Sequence, residues 1–212
     1  MSTPDAVLRV ALTGGIATGK SYVRQRLDAA GIPTIDADHP AREAIAPGSA
    51  GFRAVIAHFG RAVLSDAGAI DRQKLAAIVF ADADARRSLE AIVHPDVYHR
   101  ITTWYARLAA NGYRGPAVAD IPLLFETGHA GDFDRVVVVA CDPARQLERL
   151  RARDGLDGVT ATRRLAAQWP IDAKVARADI VIRTDGTFAD TDTQVRHLVE
   201  RLQRDGGRAV PV

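Results

Sequence analysis

The sequence predicts an α/β fold in which a parallel sheet of about five strands is flanked by helices. Apolar runs of strand length alternate with stretches of helical spacing, and continuous hydrophobicity in such runs is typical of strands covered on both faces. A glycine-rich segment also lies between the first run and the first helix. The runs are Leu8–Leu12, Ile32–Ile35, Ala117–Ile121, Val136–Ala140 and Ile180–Ile182.

The glycine-rich segment matches the phosphate-loop pattern G-x-x-x-x-G-K-[ST] at every fixed position. It consists of Gly14, Gly15, Ile16, Ala17, Thr18, Gly19, Lys20 and Ser21. Because a predicted strand precedes it and a helical stretch from Ser21 to Ala30 follows it, we expect the P-loop nucleoside triphosphate hydrolase type of fold. Lys20 is expected to reach the outer phosphates of a nucleotide, and the Ser21 hydroxyl to ligate Mg2+.

Composition restricts the class of protein. The chain has 212 residues and a net charge of +2, which allows one α/β unit with inserted subdomains and does not point to nucleic acid or a membrane surface. A single cysteine, Cys141, excludes an internal disulfide framework and is typical of a reducing compartment. Residues 1–7 lack the pattern of a secretory signal. We therefore expect a cytoplasmic protein, either a monomer or a weak homo-oligomer.

Lysine is rare in this chain. Lys20, Lys74 and Lys174 are the only lysines, whereas arginine supplies every other fixed positive charge. A lysine inside the loop suits a compact ammonium among phosphate oxygens, where a planar guanidinium would not fit.

Two largely helical stretches interrupt the predicted core of residues 1–36, 113–144 and 173–212. Residues 37–112 carry breaks at Pro47-Gly48, Gly60 and Pro95, and we expect them to bind a second substrate. Residues 145–172 are rich in arginine, and we expect them to close over phosphates as a lid.

Phosphoryl transfer also needs a group that orients or deprotonates the acceptor. Asp36 and Asp38 follow the second apolar run, at the edge of a parallel sheet where ligands bind. Asp38 is the stronger candidate for the acceptor side, because Asp36 is also well placed to cap the next helix.

Two further acidic residues accompany the third run. Asp120 lies within apolar sequence, where a carboxylate is costly unless it is paired or near a metal, and we expect it to help hold Mg2+. Glu126 lies past the strand end and either faces the acceptor or forms a salt bridge with a neighbour.

The predicted lid carries Arg145, Arg149 and Arg153 at four-residue steps, which places them on one helix face. Such a face either stabilises charge on the migrating phosphoryl group or forms solvated salt bridges with Glu148 and Asp154.

With these motifs in this order, the sequence resembles the dephospho-coenzyme A kinase family from about Leu8 to Leu202. The phosphate loop alone occurs in many families, but the combination with the other motifs is more specific. They are Ile35-Asp36-Ala37-Asp38, Arg42, His58-Phe59-Gly60, His94-Pro95, Pro122-Leu123-Leu124-Phe125-Glu126, Arg149 to Arg153-Asp154, Ala178-Asp179-Ile180-Val181-Ile182 and Asp185-Gly186.

The resemblance implies transfer of a phosphoryl group from ATP to the ribose 3'-hydroxyl of dephospho-CoA, the last step of coenzyme A synthesis. By the same likeness, Asp38 is the base and Arg149 or Arg153 is the lid arginine. Tyr22, Asp185 and Gly186 are assigned to the nucleotide. The residues assigned to the substrate are Asp38, Arg42, His94, Leu123 and Glu126.

The chain departs from the family pattern in and just after the loop, where Ala17-Thr18 replaces Gly-Ser or similar small residues and Tyr22 replaces the common threonine, and at Thr184-Asp185, where asparagine is common. The second departure leaves the preference for ATP over other nucleotides open. The alternative functions are another small-molecule or nucleotide kinase on the same core, and a nucleotide-gated switch. The switch is disfavoured because the Asn-Lys-x-Asp guanine signature is absent from the sequence.

Overall fold

A computed structural model describes residues 7–206 of the chain. These residues fall into two compact units, one formed by residues 7–35 with 105–206 and the other by Asp36–Trp104. Most of residues 1–7, on which the signal-peptide expectation rested, lie outside the described part. Within that part, no helix is long and apolar enough to cross a membrane.

The first unit is built on a five-stranded sheet of order β2-β3-β1-β4-β5. Strand β1 pairs in parallel with β3 and β4, and β4 pairs in parallel with β5. The predicted five-stranded α/β fold is therefore confirmed. The strands are β1 (Leu8–Gly14), β2 (Thr34–Asp36), β3 (Pro116–Asp120), β4 (Arg135–Ala140) and β5 (Ile180–Arg183).

The described residues form nine α-helices. In chain order they are α1 (Lys20–Ala29), α2 (Asp38–Ala44), α3 (Ala50–Phe59), α4 (Arg72–Ala81), α5 (Ala83–Ala110), α6 (Pro143–Asp154), α7 (Gly158–Ala166), α8 (Ile171–Val175) and α9 (Phe188–Asp205).

The central strands are buried on both faces, as their continuous hydrophobicity predicts. Every residue of β3 is buried, and so are the last five residues of β1 and of β4. Apolar residues of α1 and α9 complete this core through Leu27 and Leu198. The ends of the strands, rather than their faces, are therefore left to form a site.

The second unit is helical and has its own small core around Val55, Val63 and Leu75. Side-chain caps define its helices: the Ser49 hydroxyl accepts from the Phe52 N–H at 2.9 Å, and the Asp71 carboxylate accepts from Gln73 and Lys74. Helix α5 begins in this unit and ends in the first, since the boundary falls between Trp104 and Tyr105.

Candidate functional site

The phosphate loop joins the end of β1 to the start of α1. Gly14 must be glycine, since a Cβ there would lie 2.5 Å from the carbonyl oxygen of Val139 on β4. Gly19 and Ala17 both have positive φ, at 86° and 61°, and Ala17 is the only such non-glycine residue among residues 7–206. The left-handed conformation costs an alanine about 1 kcal/mol. The departure at Ala17 therefore places mild strain in the loop.

Lys20 and Asp120 form an ion pair beside this loop. Asp120 ends β3 and is only 2% exposed, and its second oxygen lies 3.3 Å from the Arg24 Nε. Two cations thus compensate the buried carboxylate. Ser21 follows Lys20 and is exposed at the start of α1. The predicted Mg2+ ligands therefore border the loop, with Asp120 paired to the loop lysine.

Two glutamines of the predicted lid hold the peptide groups on either side of Ile16. The side-chain amide of Gln146, on α6, donates to the Ile16 carbonyl at 2.8 Å. The side-chain oxygen of Gln168, which follows α7, accepts from the Ile16 N–H at 2.8 Å. The backbone of the loop is therefore fixed by the lid segment as well as by its own strand and helix. Neither glutamine was identified from the sequence.

A cavity of about 520 Å3 adjoins the loop. Tyr22 and Phe188 stand at this cavity with ring centroids 4.8 Å apart, and Phe188 is 72% exposed. The cavity thus combines an exposed aromatic ring, hydroxyl groups and one guanidinium. Its lining residues are Gly19, Tyr22, Arg149, Thr184, Gly186, Thr187, Phe188 and Thr191.

Asp185, which was predicted to contact the nucleotide, has a local partner. One of its carboxylate oxygens accepts from the Asp142 N–H at 2.7 Å, just before α6. Its neighbour Gly186 lines the cavity. The Asp185-Gly186 pair therefore connects the cavity wall to the start of α6, the helix that leads into the predicted lid.

The predicted lid arginines have different partners. Arg149 lines the cavity and donates to the hydroxyl and the carbonyl of Thr184 at 3.1 and 2.6 Å. Arg153 is 58% exposed and pairs with Asp154 at 2.7 Å. This hydrogen bond raises the pKa of Arg153 and lowers the pKa of Asp154. The geometry thus favours Arg149 over Arg153 for contact with a nucleotide.

Lys174 on α8 is completely buried and lies 2.8 Å from the Glu126 carboxylate. The same carboxylate oxygen of Glu126 accepts from the Trp169 N–H at 2.9 Å. Of the two alternatives for Glu126, the salt bridge is present in the structure, and contact with the acceptor stays a prediction, as does that of the half-buried Leu123. Lys174 was not identified from the sequence, although the rarity of lysine was a signal that could have drawn attention to it.

The second unit has a cavity of about 620 Å3 that brings together three residues predicted to bind the substrate, Asp38, Arg42 and His94. Arg72 lines it too and was missed, because an isolated arginine at a helix start carries no motif. Asp36 does not line this cavity, and its carboxylate accepts from the Asp38 N–H at 3.0 Å. Asp36 thus accepts from the first N–H of α2, although the N-cap residue itself is Ala37, which makes no side-chain cap.

Cys141 is the single cysteine of the chain. It follows β4, is completely buried, and is free of any disulfide. Burial raises the pKa of its thiol, so it is protonated and poorly nucleophilic at neutral pH. Among residues 7–206, no three or more His, Cys, Asp or Glu side chains converge in a way that would hold a metal ion.

Comparison with known proteins identifies one family for this chain. A family model described as dephospho-CoA kinase matches residues 8–190. A dephospho-CoA kinase of Anaeromyxobacter dehalogenans is 46% identical over 202 residues, covering 95% of both chains. One of Gloeobacter violaceus is 44% identical over 192 residues, covering 91% of both. The solved dephospho-CoA kinase of Campylobacter jejuni superposes with a TM-score of 0.69 at 26% identity, over 93% of this chain and 98% of that one.

Proposed function

The chain belongs to the dephospho-CoA kinase family, and we propose that it transfers the γ-phosphoryl group of ATP to the ribose 3'-hydroxyl of dephospho-CoA. In this reaction a bond forms between the 3'-oxygen and the γ-phosphorus, the bond to the ADP oxygen breaks, and the hydroxyl proton leaves. The products are CoA and ADP. The observation that carries the proposal is the phosphate loop, with Lys20 paired to Asp120, in a chain that the family model matches over residues 8–190.

The loop suits the phosphates of ATP, and the adjoining cavity suits its nucleoside. Backbone N–H groups of residues 14–20 and the N-terminus of α1 stabilise phosphate charge. Lys20 exchanges its contact with Asp120 for the outer phosphates, where its ammonium compensates charge that develops during transfer. Phe188 and Gly186 line a cavity of about 520 Å3, which suits a nucleoside. Arg149 lines the same cavity and adds a positive charge to it.

Ser21 and Asp120 would hold Mg2+. The hydroxyl and the carboxylate are oxygen ligands of the kind that Mg2+ prefers, and the 2% exposed Asp120 needs a compensating cation once Lys20 turns to phosphate. When bound, the ion would neutralise charge on the phosphate oxygens. Asp120 would also keep Arg24 in place through its second oxygen.

Asp38 is the proposed acceptor of the 3'-hydroxyl proton. It is exposed at the start of α2 and lines the cavity of about 620 Å3 in the second unit. Arg42 and His94 line the same cavity and would bind the phosphates of the coenzyme. Arg72 adds a third basic group there. Leu123 and Glu126 are proposed to contact the acceptor as well.

We further propose that the protein acts in the cytoplasm as a monomer or weak homo-oligomer, on small molecules rather than on nucleic acid or membranes. The near-neutral net charge of +2 and the single free thiol support this proposal.

A coupled assay of ADP release with Mg2+ and ATP tests the function. We expect turnover with dephospho-CoA, none with adenosine or AMP or without acceptor, and a product that co-elutes with CoA. Release of ADP without any acceptor would instead identify an ATPase or switch. Turnover with a different acceptor would keep the P-loop chemistry and contradict the role given to residues 37–112.

A further inference from the structure

The ammonium of Lys174 has three protons and three acceptors in the structure. It lies 2.8 Å from the Glu126 carboxylate, 3.2 Å from the Pro122 carbonyl and 3.5 Å from the Gly14 carbonyl. Gly14 is the first residue of the phosphate loop, and Pro122 follows β3 closely. A cation that no solvent reaches thus sits on the ends of two neighbouring central strands.

We propose that Lys174 is a positioning residue that fixes the entrance of the phosphate loop. Its hydrogen bond to the Gly14 carbonyl holds the backbone from which the loop turns, and its contact with Pro122 ties that backbone to the segment after β3. The Thr13 hydroxyl donates to the same Pro122 carbonyl at 3.3 Å, so the two strand ends are joined from both sides. Loop amides then point at the phosphates without reorganising when the nucleotide binds.

The pair with Glu126 extends this contact to the end of the lid. The carboxylate oxygen that binds Lys174 also accepts from the Trp169 N–H, next to Gln168, which holds Ile16. The other oxygen of Glu126 is buried and has no hydrogen-bond partner within residues 7–206. The ammonium of Lys174 therefore links α8 to the phosphate loop directly and to the end of the lid through Glu126.

A purely structural role is the alternative. A buried lysine opposite a half-buried glutamate balances charge, and removing either partner alone destabilises a fold whether or not the pair has a function. Removing both charges together separates the two roles. The double variant Lys174→Met/Glu126→Gln leaves no unpaired charge, yet it lacks the donor to Gly14.

The test measures ADP affinity by titration calorimetry without acceptor, together with thermal melting. Lys174→Met alone should lower the melting temperature by roughly 10 °C. The double variant should recover most of that loss but bind ADP about 10-fold more weakly than wild type. Glu126→Gln alone shows what Glu126 contributes. Lys74→Met applies the same change at a lysine whose side chain is 51% exposed, and should alter neither quantity.

A double variant that melts and binds ADP like wild type would show that Lys174 only balances Glu126. A double variant that no longer melts cooperatively would also contradict the proposal, because the ammonium would then be needed for the fold. The inference rests on the proposed kinase function, but ADP affinity is measured without dephospho-CoA. Absence of turnover with dephospho-CoA in wild type would therefore overturn the proposed function. The ADP affinities of the variants would still test the role of Lys174.

Discussion

Arg149 holds Thr184 by two hydrogen bonds, at 3.1 Å to its hydroxyl and 2.6 Å to its carbonyl oxygen. The same hydroxyl donates to the Thr18 carbonyl in the phosphate loop at 2.7 Å. A guanidinium of the lid is thus linked through one threonine to the backbone that binds phosphate.

Arg149→Ala should lower kcat/KM for ATP by about 100-fold, because it removes a charge at the nucleotide cavity and releases Thr184. Arg153→Ala should change it by less than about 3-fold, since an exposed pair such as Arg153–Asp154 contributes little. Steady-state kinetics at saturating acceptor measures both. Arg151→Ala, at an exposed position on the same helix, controls for loss of positive charge. A larger loss for Arg153 than for Arg149 would reverse the assignment.

Asp38→Asn should reduce kcat by about 1,000-fold while ADP affinity stays within about 2-fold of wild type, because the amide cannot take the proton of the hydroxyl. Turnover and calorimetric titration measure the two effects separately. Asp36→Asn is the matched control: asparagine also caps helices, so the contact with the Asp38 N–H is retained and turnover should be nearly unchanged. Near-normal turnover of Asp38→Asn would show that Asp38 is not the base.

The fold could be predicted because its signals are local. Five apolar runs without alternation indicate buried strands. The segment between Leu12 and Lys20 matches the phosphate-loop pattern, which is typical of one local structure, a loop between a strand and a helix. Asp120 was expected to be paired or near a metal, since burial of a lone carboxylate is costly. Its partners Lys20 and Arg24 could not be predicted, because they depend on β3 lying next to β1 and the start of α1 in the folded protein.

The contacts of the lid with the loop could not be predicted, because they join distant positions through neutral or buried groups. Gln146 and Gln168 meet Ile16 across 130 and 152 positions of sequence. An amide side chain in a helical stretch carries no motif, and nothing in the pattern distinguishes it from a solvated residue. Lys174 had a compositional signal, since only three lysines occur, but its partners depend on tertiary packing.

Gln168→Ala should lower kcat/KM for ATP by about 10-fold, because the Ile16 N–H loses its acceptor and the loop gains freedom next to the phosphates. Gln168→Glu keeps an acceptor oxygen but adds negative charge beside the phosphate loop, so it should raise KM for ATP more than the alanine variant does. Initial rates over a range of ATP concentrations distinguish the two variants. Gln25→Ala, on the exposed side of α1, serves as the control. Equal kinetics for the alanine variant and wild type would show that Gln168 does not fix the loop.

Cys141 should make the protein lose stability at alkaline pH. Burial raises the pKa of its thiol in the folded state, so the folded protein binds this proton more tightly than the unfolded chain does. The resulting stabilisation is fully present below the pKa of the unfolded thiol and is lost as pH rises through the folded pKa. The free energy of unfolding of wild type should therefore fall more steeply than that of Cys141→Ala as pH rises above the ordinary thiol pKa of about 8.5. Urea unfolding at a series of pH values gives the two slopes, and the comparison of slopes removes the constant cost of the cavity that alanine leaves. Parallel slopes would mean that the thiol titrates in the folded protein as it does in the unfolded chain.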